Sequence, residues 1–391
     1  MKIGIITFWE SKDNYGQVLQ AYALQQILLD LGHQPFQIKY SLSGSRNSQQ
    51  QRRAFIKIIL KSITIYPLVL KYLRYRENRK NEKYKVEIEQ KNKQRKFDIF
   101  RKKYIRSNSL IYQTITEIQN NPPEADCFIT GSDQVWRMLL DNENNRAYFL
   151  DFGRRDIKRI SYAASFSRSY YPKQYITQLK DLLSRFDAIS VREYEGVDIC
   201  KNVGISAIQV LDPTFLLKKA SYLSLCLNKE TKTDKYIYIY SINIQKSEEI
   251  NWKEIVSYAK KNNYRLLATT SSGNIPGREI LTGAEYIYAT IPEWLSYVNG
   301  AKCVMTTSFH GVVFCLIMHT NFVYFPLCGK RAEGNGRVYS LLESIGLLHR
   351  ICKKKNSLHE VLQNEINWDI VDMSLKEQRE HCMKFLENSL T

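Results

Sequence analysis

Residues 2–40 read KIGIITFWESKDNYGQVLQAYALQQILLDLGHQPFQIKY, and the fold is decided there. Residues 2–8 are a run of β-branched and aromatic side chains that predicts a buried strand. A polar turn follows at 10–15. From 16 to 31 the apolar positions Val18, Leu19, Tyr22, Leu24, Ile27 and Leu28 recur at helical spacing and form a broad stripe. Gly32 suits the residue that closes such a helix. Residues 36–40 then predict a second strand. Strand, loop, helix and strand in that order open a doubly wound parallel sheet.

The same rhythm continues downstream. Strands are expected at 125–130, 159–164, 188–192 and 207–211, with helices at 176–186 and 194–203. A polar connection spans 221–234. Beyond it, strands at 236–241, 265–270, 303–306 and 322–325 alternate with helices at 250–262, 294–299 and 311–318. The region from 339 onward is mainly helical in pattern. A chain of 391 residues is too long for one ordinary core. The expectation is an α/β protein with two Rossmann-like domains, 1–220 and 221–350, and a helical extension over 351–391.

Charge locates an interruption in the first domain. The formal net charge is +18, and residues 46–106 hold 20 Lys and Arg against 5 Asp and Glu, an excess of 15. The remainder is nearly neutral, so the protein reads as a neutral fold carrying a basic helical insertion at about 41–109. Its first part, 54–75, mixes Ile56, Ile59, Leu60, Ile63, Leu70 and Leu73 with Lys57, Lys61 and Lys71, and Pro67 should break or kink it. That mixture suits either a helix at an anionic membrane surface or a hairpin packed on the domain. The second part, 77–104, predicts one long charged helix. No zinc-finger, helix-turn-helix or RNP pattern accompanies the charge, so nucleic acid is not an expected partner.

No stretch approaches the ~18 uninterrupted apolar residues of a spanning helix. The apolar start is short and Glu10 ends it, which argues against a secretory segment and for a cytoplasmic protein. The eight cysteines form no C-x-x-C pair and read as reduced small hydrophobes. No pair of carboxylates or histidines has ligand spacing, so neither a metal nor another cofactor is expected.

Five constellations fall at strand ends, where doubly wound sheets bind ligands. In the first loop, Asn14 could orient a hydroxyl and Gly16 could admit a ligand to the helix N-terminus; both residues also suit a plain turn. Ser132, Asp133 and Gln134, in the run GSDQVW, could form a sugar or anion site, with a helix cap as the alternative for Asp133. Arg192, followed by Glu193, offers a planar fork for a carboxylate or phosphate, or else pairs with its neighbour at the surface. Thr306, Thr307, Ser308, Phe309, His310 and Gly311 place a histidine among hydroxyls at the start of an apolar helix, a favourable place for an anion. Lys330, Arg331 and Arg337 stand among three glycines in a loop suited to phosphate.

Taken in order, the runs NYG near the start, GSDQVW, SYAASF at 161–166, VRE, LDP at 211–213 and SFHG closely resemble the polysaccharide pyruvyl transferase family. The resemblance runs from residue 2 to about 350, with the basic segment poorly matched. It implies a GT-B-like arrangement with the active site between the domains. It also implies acceptor binding by the first domain and donor binding by the second. Phosphoenolpyruvate would be the donor, and a glycan or lipid-linked sugar the acceptor of a pyruvate ketal in cell-surface polysaccharide synthesis. Arg192 and His310 match family positions tied to donor binding and acid chemistry. Ser308 departs from the pattern, since many members carry an Arg two residues before the histidine. His310, as acid, and Asp133, a candidate base for a sugar hydroxyl, are the expected catalytic pair. Arg192, Arg337, Lys330, Ser308, Asn14, Gly16, Ser132 and Gln134 are expected to bind substrates. A GT-B glycosyltransferase using a nucleotide sugar is the alternative enzyme.

Overall fold

The computed structural model describes residues 1–41, 86–87, 89–137, 140–227, 235–271, 279–353 and 358–391. The expected kink at Pro67 and the apolar-and-cationic stretch 54–75 lie outside the described residues, as does the side chain of Lys330.

Two parallel sheets carry the fold. The first is built from β1 (Lys2–Ile6), β2 (Gln34–Tyr40), β3 (Ser107–Tyr112), β4 (Cys127–Thr130), β5 (Lys158–Ala164), β6 (Ala188–Val191) and β7 (Ile208–Gln209) in the order β3-β2-β1-β4-β5-β6-β7. The second is built from β8 (Tyr236–Ser241), β9 (Arg265–Thr270), β10 (Glu285–Tyr286), β11 (Cys303–Thr306) and β12 (Phe322–Tyr324) in the order β10-β9-β8-β11-β12. In each sheet the first strand lies inside and the chain reverses direction beside it, leaving a crevice at the carboxyl ends. The two Rossmann-like sheets expected from the sequence are therefore present, in a GT-B-like arrangement.

Twelve α-helices lie wholly among the described residues, besides the helical turns just before Arg95. In chain order they are α1 (Tyr15–Asp30), α2 (Phe97–Tyr104), α3 (Ile115–Asn120), α4 (Ile176–Leu183), α5 (Tyr194–Asn202) and α6 (Lys219–Leu223). The series continues with α7 (Trp252–Lys261), α8 (Ile291–Gly300), α9 (Phe309–Met318), α10 (Gly336–Ser344), α11 (Leu358–Gln363) and α12 (Trp368–Leu390). None is long and apolar enough to cross a membrane.

The long helix expected over 77–104 is interrupted. Residues 89–94 are helical, but Lys96 takes a left-handed conformation at φ 51°, and α2 starts anew after it. Arg95, at this break, is buried and donates to the Tyr15 hydroxyl (2.9 Å) and to the Thr270 carbonyl (2.6 Å). The end of the basic segment thus touches both halves of the protein. Strand β3 was also missed, because it starts within the stretch that reads as insertion.

One hydrophobic cluster runs through both halves. Helix α1 is buried on nearly every side, which explains its breadth of apolar residues. Tyr15 stacks on Trp294 at 5.1 Å and donates to the Ala289 carbonyl at 2.6 Å, tying the start of α1 to the second half. At the far end of the chain, α12 returns to the first sheet. There the Cys382 thiol accepts from the Leu211 amide at 3.1 Å, and Phe385 packs near Tyr162. The eight cysteines are free.

Candidate active site

The turn from β11 into α9 is held by its own hydroxyls. Thr306 donates to the Tyr240 carbonyl (2.7 Å) and accepts from the Ser308 amide (3.0 Å), while Thr307 binds both polar groups of the Ile242 backbone (2.8 Å each). Ser308 caps the helix, accepting from the Gly311 amide at 3.3 Å. The expectation that Ser308 binds substrate is therefore met by a different duty, because a short hydroxyl at a helix start satisfies an otherwise orphaned amide. Gly311 is required by space: a Cβ there would stand 2.2 Å from Thr306 Oγ1.

This anchoring fixes His310, which is 5% exposed. Its ring lies against the first turn of α1 at Gly16, where a Cβ would fall 2.1 Å from both Cγ and Nδ1 of the imidazole. Gly16 therefore makes room for the His310 ring, a packing role that the sequence reading did not include. Asn14 caps the same helix, its side chain accepting from the Gln17 amide at 3.4 Å. The turn alternative thus accounts for its contacts.

Facing His310 is a carboxylate to which the sequence assigned no role. Asp212 is fully buried, and its Oδ2 receives Ser132 Oγ (2.8 Å) and Arg192 Nη1 (3.0 Å) and lies 3.4 Å from His310 Nε2. Its Oδ1 accepts from the Thr214 amide (3.1 Å) and hydroxyl (2.7 Å). Burial by itself would raise the Asp212 carboxyl, but the adjacent His310 and Arg192 outweigh it and hold the group well below the usual carboxylate range. In the sequence it stood out only as part of the LDP run at 211–213, one of the runs that carry the family resemblance, with no role attached to it. Asp212 does cap the short turn Pro213–Phe215.

Arg192 and Glu193 are both buried, which removes the alternative of a surface pair. Glu193 Oε1 accepts from Ser165 Oγ and from the Ser167 amide, each at 2.9 Å, and burial raises its carboxyl. The guanidiniums of Arg192 and Arg337 both lie over the Phe309 ring, at 4.5 and 5.5 Å from its centroid. Arg337 is pulled down to about 10 by burial first and by the charge of Arg192 second. Arg331, by contrast, donates to the Asn243 carbonyl at 2.5 Å.

Asp133 sits at φ 88°, a costly conformation for a residue with a side chain, and such strain clusters at functional sites. Its Oδ1 accepts from the Gln134 amide (2.8 Å) and stands 3.9 Å from Arg192 Nη2. Gln134 turns aside, accepting from Arg137 at 3.2 Å.

Several buried polar atoms in this cluster have no hydrogen-bond partner. They are Nε and Nη2 of Arg192, Nε of Arg337, Nε2 of His310, Oδ2 of Asp133 and Oε2 of Glu193. Such atoms are costly unless something meets them. The unused donors suit an anion, and the unused Asp133 oxygen suits a hydroxyl. A cavity of about 660 Å³ reaches the cluster, lined by Arg192, Asp212, Phe309 and Arg337 on one side and by α12 residues including His381 on the other. The structure thus brings together Ser132, Asp133, Arg192, Arg337 and His310, and adds Asp212 and Glu193.

Comparison with known proteins bears on the family and the fold. The family model described as polysaccharide pyruvyl transferase matches residues 14–328. No curated protein matches the sequence significantly. Among solved structures, UDP-N-acetylglucosamine 2-epimerase from Rickettsia bellii superposes with TM-score 0.53 at 9% identity, covering 99% of this chain and 96% of that one. The UDP-GlcNAc 2-epimerase of Neisseria meningitidis, solved with UDP-GlcNAc bound, gives TM-score 0.50 at 7% identity, covering 100% and 99%. At such identities the likeness is one of fold.

Proposed function

The chain belongs to the polysaccharide pyruvyl transferase family, and we propose that it moves pyruvate from phosphoenolpyruvate onto a glycan or lipid-linked sugar as a ketal, in the building of cell-surface polysaccharide. The observation that carries this reading is the pair of arginines with unused donors, Arg192 and Arg337, set beside His310 and the unused Asp133 oxygen. Arg192 is paired with Asp212, but Nε and Nη2 of Arg192 and Nε of Arg337 stay open beside one aromatic ring, and a donor with a carboxylate and a phosphate supplies acceptors for them.

In the reaction proposed, Arg192 and Arg337 hold the carboxylate and the phosphate. His310 gives its proton to the methylene carbon of the enol, so that C3 becomes a methyl group and C2 becomes electrophilic. A sugar hydroxyl attacks C2 and loses its proton to Asp133. A neighbouring hydroxyl then attacks C2, the C2–O bond to phosphate breaks, and phosphate leaves with the second proton. Asp212 does not touch the reactants in this scheme. It positions His310 and Arg192 through Oδ2. Acceptor binding falls to residues 1–220 and donor binding mainly to 221–350, with Arg192 of the first part sharing in the donor site and α12 lining the far side of the cavity.

The basic segment supports a further part of the reading from its sequence alone. Lys57, Lys61 and Lys71 among apolar residues suit an anionic membrane surface, where a lipid-linked acceptor would reside. The test of the chemistry is isotopic. Run in D₂O, the reaction should leave one deuterium in the product methyl group. A ketal whose methyl gains no solvent deuterium would exclude protonation at C3.

A further inference from the structure

A second cavity, of about 430 Å³, lies apart from the Asp212 cluster, between α1, α2 and the carboxyl ends of β1 and β2. Its floor is apolar, with Val18, Ala21 and Ile105 among the lining. Trp9 lines one side, and its indole is fixed by a 3.1 Å hydrogen bond from Nε1 to the Tyr40 carbonyl. Gln37 and Lys39 project from one face of β2, as the two-residue alternation of a strand requires. Gln37 is 2% exposed; its Nε2 donates to the Thr7 carbonyl at 3.4 Å, while its Oε1 has no partner. A buried acceptor left open in a cavity wall calls for a donor from a ligand.

The cations of the cavity differ in what they have left to give. Arg101 is engaged with the Ser11 carbonyl and with Asp98. Lys39 and Lys102 carry no salt bridge among the described residues, and Lys39 stands 5.9 Å from the centroid of the Trp9 ring. An aromatic face, an open amide oxygen and two ammonium groups without a carboxylate partner among the described residues form a definite pattern. The aromatic face packs on the C–H face of a sugar ring, the amide oxygen accepts from a ring hydroxyl, and the lysines meet a negative substituent.

The cavity is also in the right place. Gln17 lines it, and the preceding residue, Gly16, carries the His310 ring. Thr7, to which Gln37 donates, gives its own hydroxyl proton to the Ser132 carbonyl, next to Asp133. We propose that this cavity binds a hexose bearing an anionic substituent, and that this is the acceptor or the sugar next to it. Its role as acceptor site rests on the function proposed above; its sugar binding does not.

The test uses the full-length protein and ligand-observed NMR titration with glucose 1-phosphate, glucuronate, methyl glucoside and inorganic phosphate. Phosphoenolpyruvate is titrated separately by calorimetry. The two charged sugars should bind at least about tenfold more tightly than methyl glucoside, the scale of one charge-assisted contact, and inorganic phosphate should not displace them. The Lys39→Gln, Lys102→Gln double variant should erase that preference. Trp9→Ala should weaken charged and neutral sugars alike. The stronger of glucose 1-phosphate and glucuronate identifies the substituent as phosphoryl or carboxylate. Equal binding of charged and neutral sugars by the parent protein, or parental affinity in both variants, overturns the proposal. Sugar binding without phosphoenolpyruvate binding would uphold the cavity and sink the donor assignment; the reverse pattern would do the opposite.

Discussion

Replacing Gly16 with alanine tests the geometry of the site without removing any chemical group. The new methyl carbon would lie 2.1 Å from Cγ and Nδ1 of His310 and 2.5 Å from its Cβ. Non-bonded carbons rest at ~3.5–4.0 Å, so ring and helix must part by about 1.5 Å. His310 is held from behind by the cap at Ser308 and by α9, which is buried along its length. The strain therefore falls on the imidazole and on its 3.4 Å approach to Asp212. Overpacking of this kind costs ~1–3 kcal/mol, a fall of roughly 1–4 °C in melting temperature for a chain of 391 residues. The catalytic cost is larger, because a misplacement of ~1 Å is worth about 100-fold in rate. Gly32→Ala is the control. Gly32 has φ +81° and nothing within 4 Å of a built Cβ, so alanine there strains the backbone far from the site. We expect Gly16→Ala to lose about 100-fold or more in kcat and Gly32→Ala to lose stability alone. Parental turnover in a folded Gly16→Ala protein would refute the packing of His310 on α1.

Three further outcomes follow from the same cluster and from the basic segment. Arg192→Lys keeps the charge but loses the fork that reaches Asp212 and the ligand together, so donor KM should rise at least about tenfold, and a parental KM would make Arg192 purely structural. Asp212 is depressed in the folded protein, so its ionisation stabilises the fold above the unfolded value of ~3.9 and that stability is lost as pH falls below it. Denaturant titrations at pH 7 and in the acid range should therefore show Asp212→Asn destabilised by ~3–5 kcal/mol at neutrality, with Arg192 left buried and unpaired, and converging on the parent in acid; parallel pH profiles would exclude it. Co-sedimentation with anionic vesicles should weaken with salt and vanish when Lys57, Lys61 and Lys71 become Glu, whereas equal recovery with neutral vesicles would exclude a membrane role.

The regular elements were legible wherever the local pattern and the buried environment agreed. Strands β8 and β11 fall where their apolar runs lie, because both faces of a central parallel strand are covered and the run is continuous. Strand β3 was hidden, since Ser107, Asn108 and Ser109 are not strand formers and it lies at the sheet edge, largely exposed. The break at Lys96 could not be read from charge, because a left-handed residue inside a polar helical pattern leaves no periodic trace. At the site, hydroxyls and glycines at strand ends were legible as candidates, while the contacts they make were not. Ser308 and Asn14 serve the backbone, and Gly16 serves His310. Asp212 escaped because its importance lies in partners 20, 80 and 98 positions away, which only packing brings together.

The most direct test of the central claim is mass spectrometry of a candidate glycan after incubation with the protein and phosphoenolpyruvate, with released phosphate measured alongside. The account predicts one pyruvate ketal per acceptor with one phosphate released, and loss of both in a folded His310→Ala protein by ~10²–10⁴-fold. An acceptor that gains no pyruvate from phosphoenolpyruvate but gains a sugar from a nucleotide-sugar donor would contradict it.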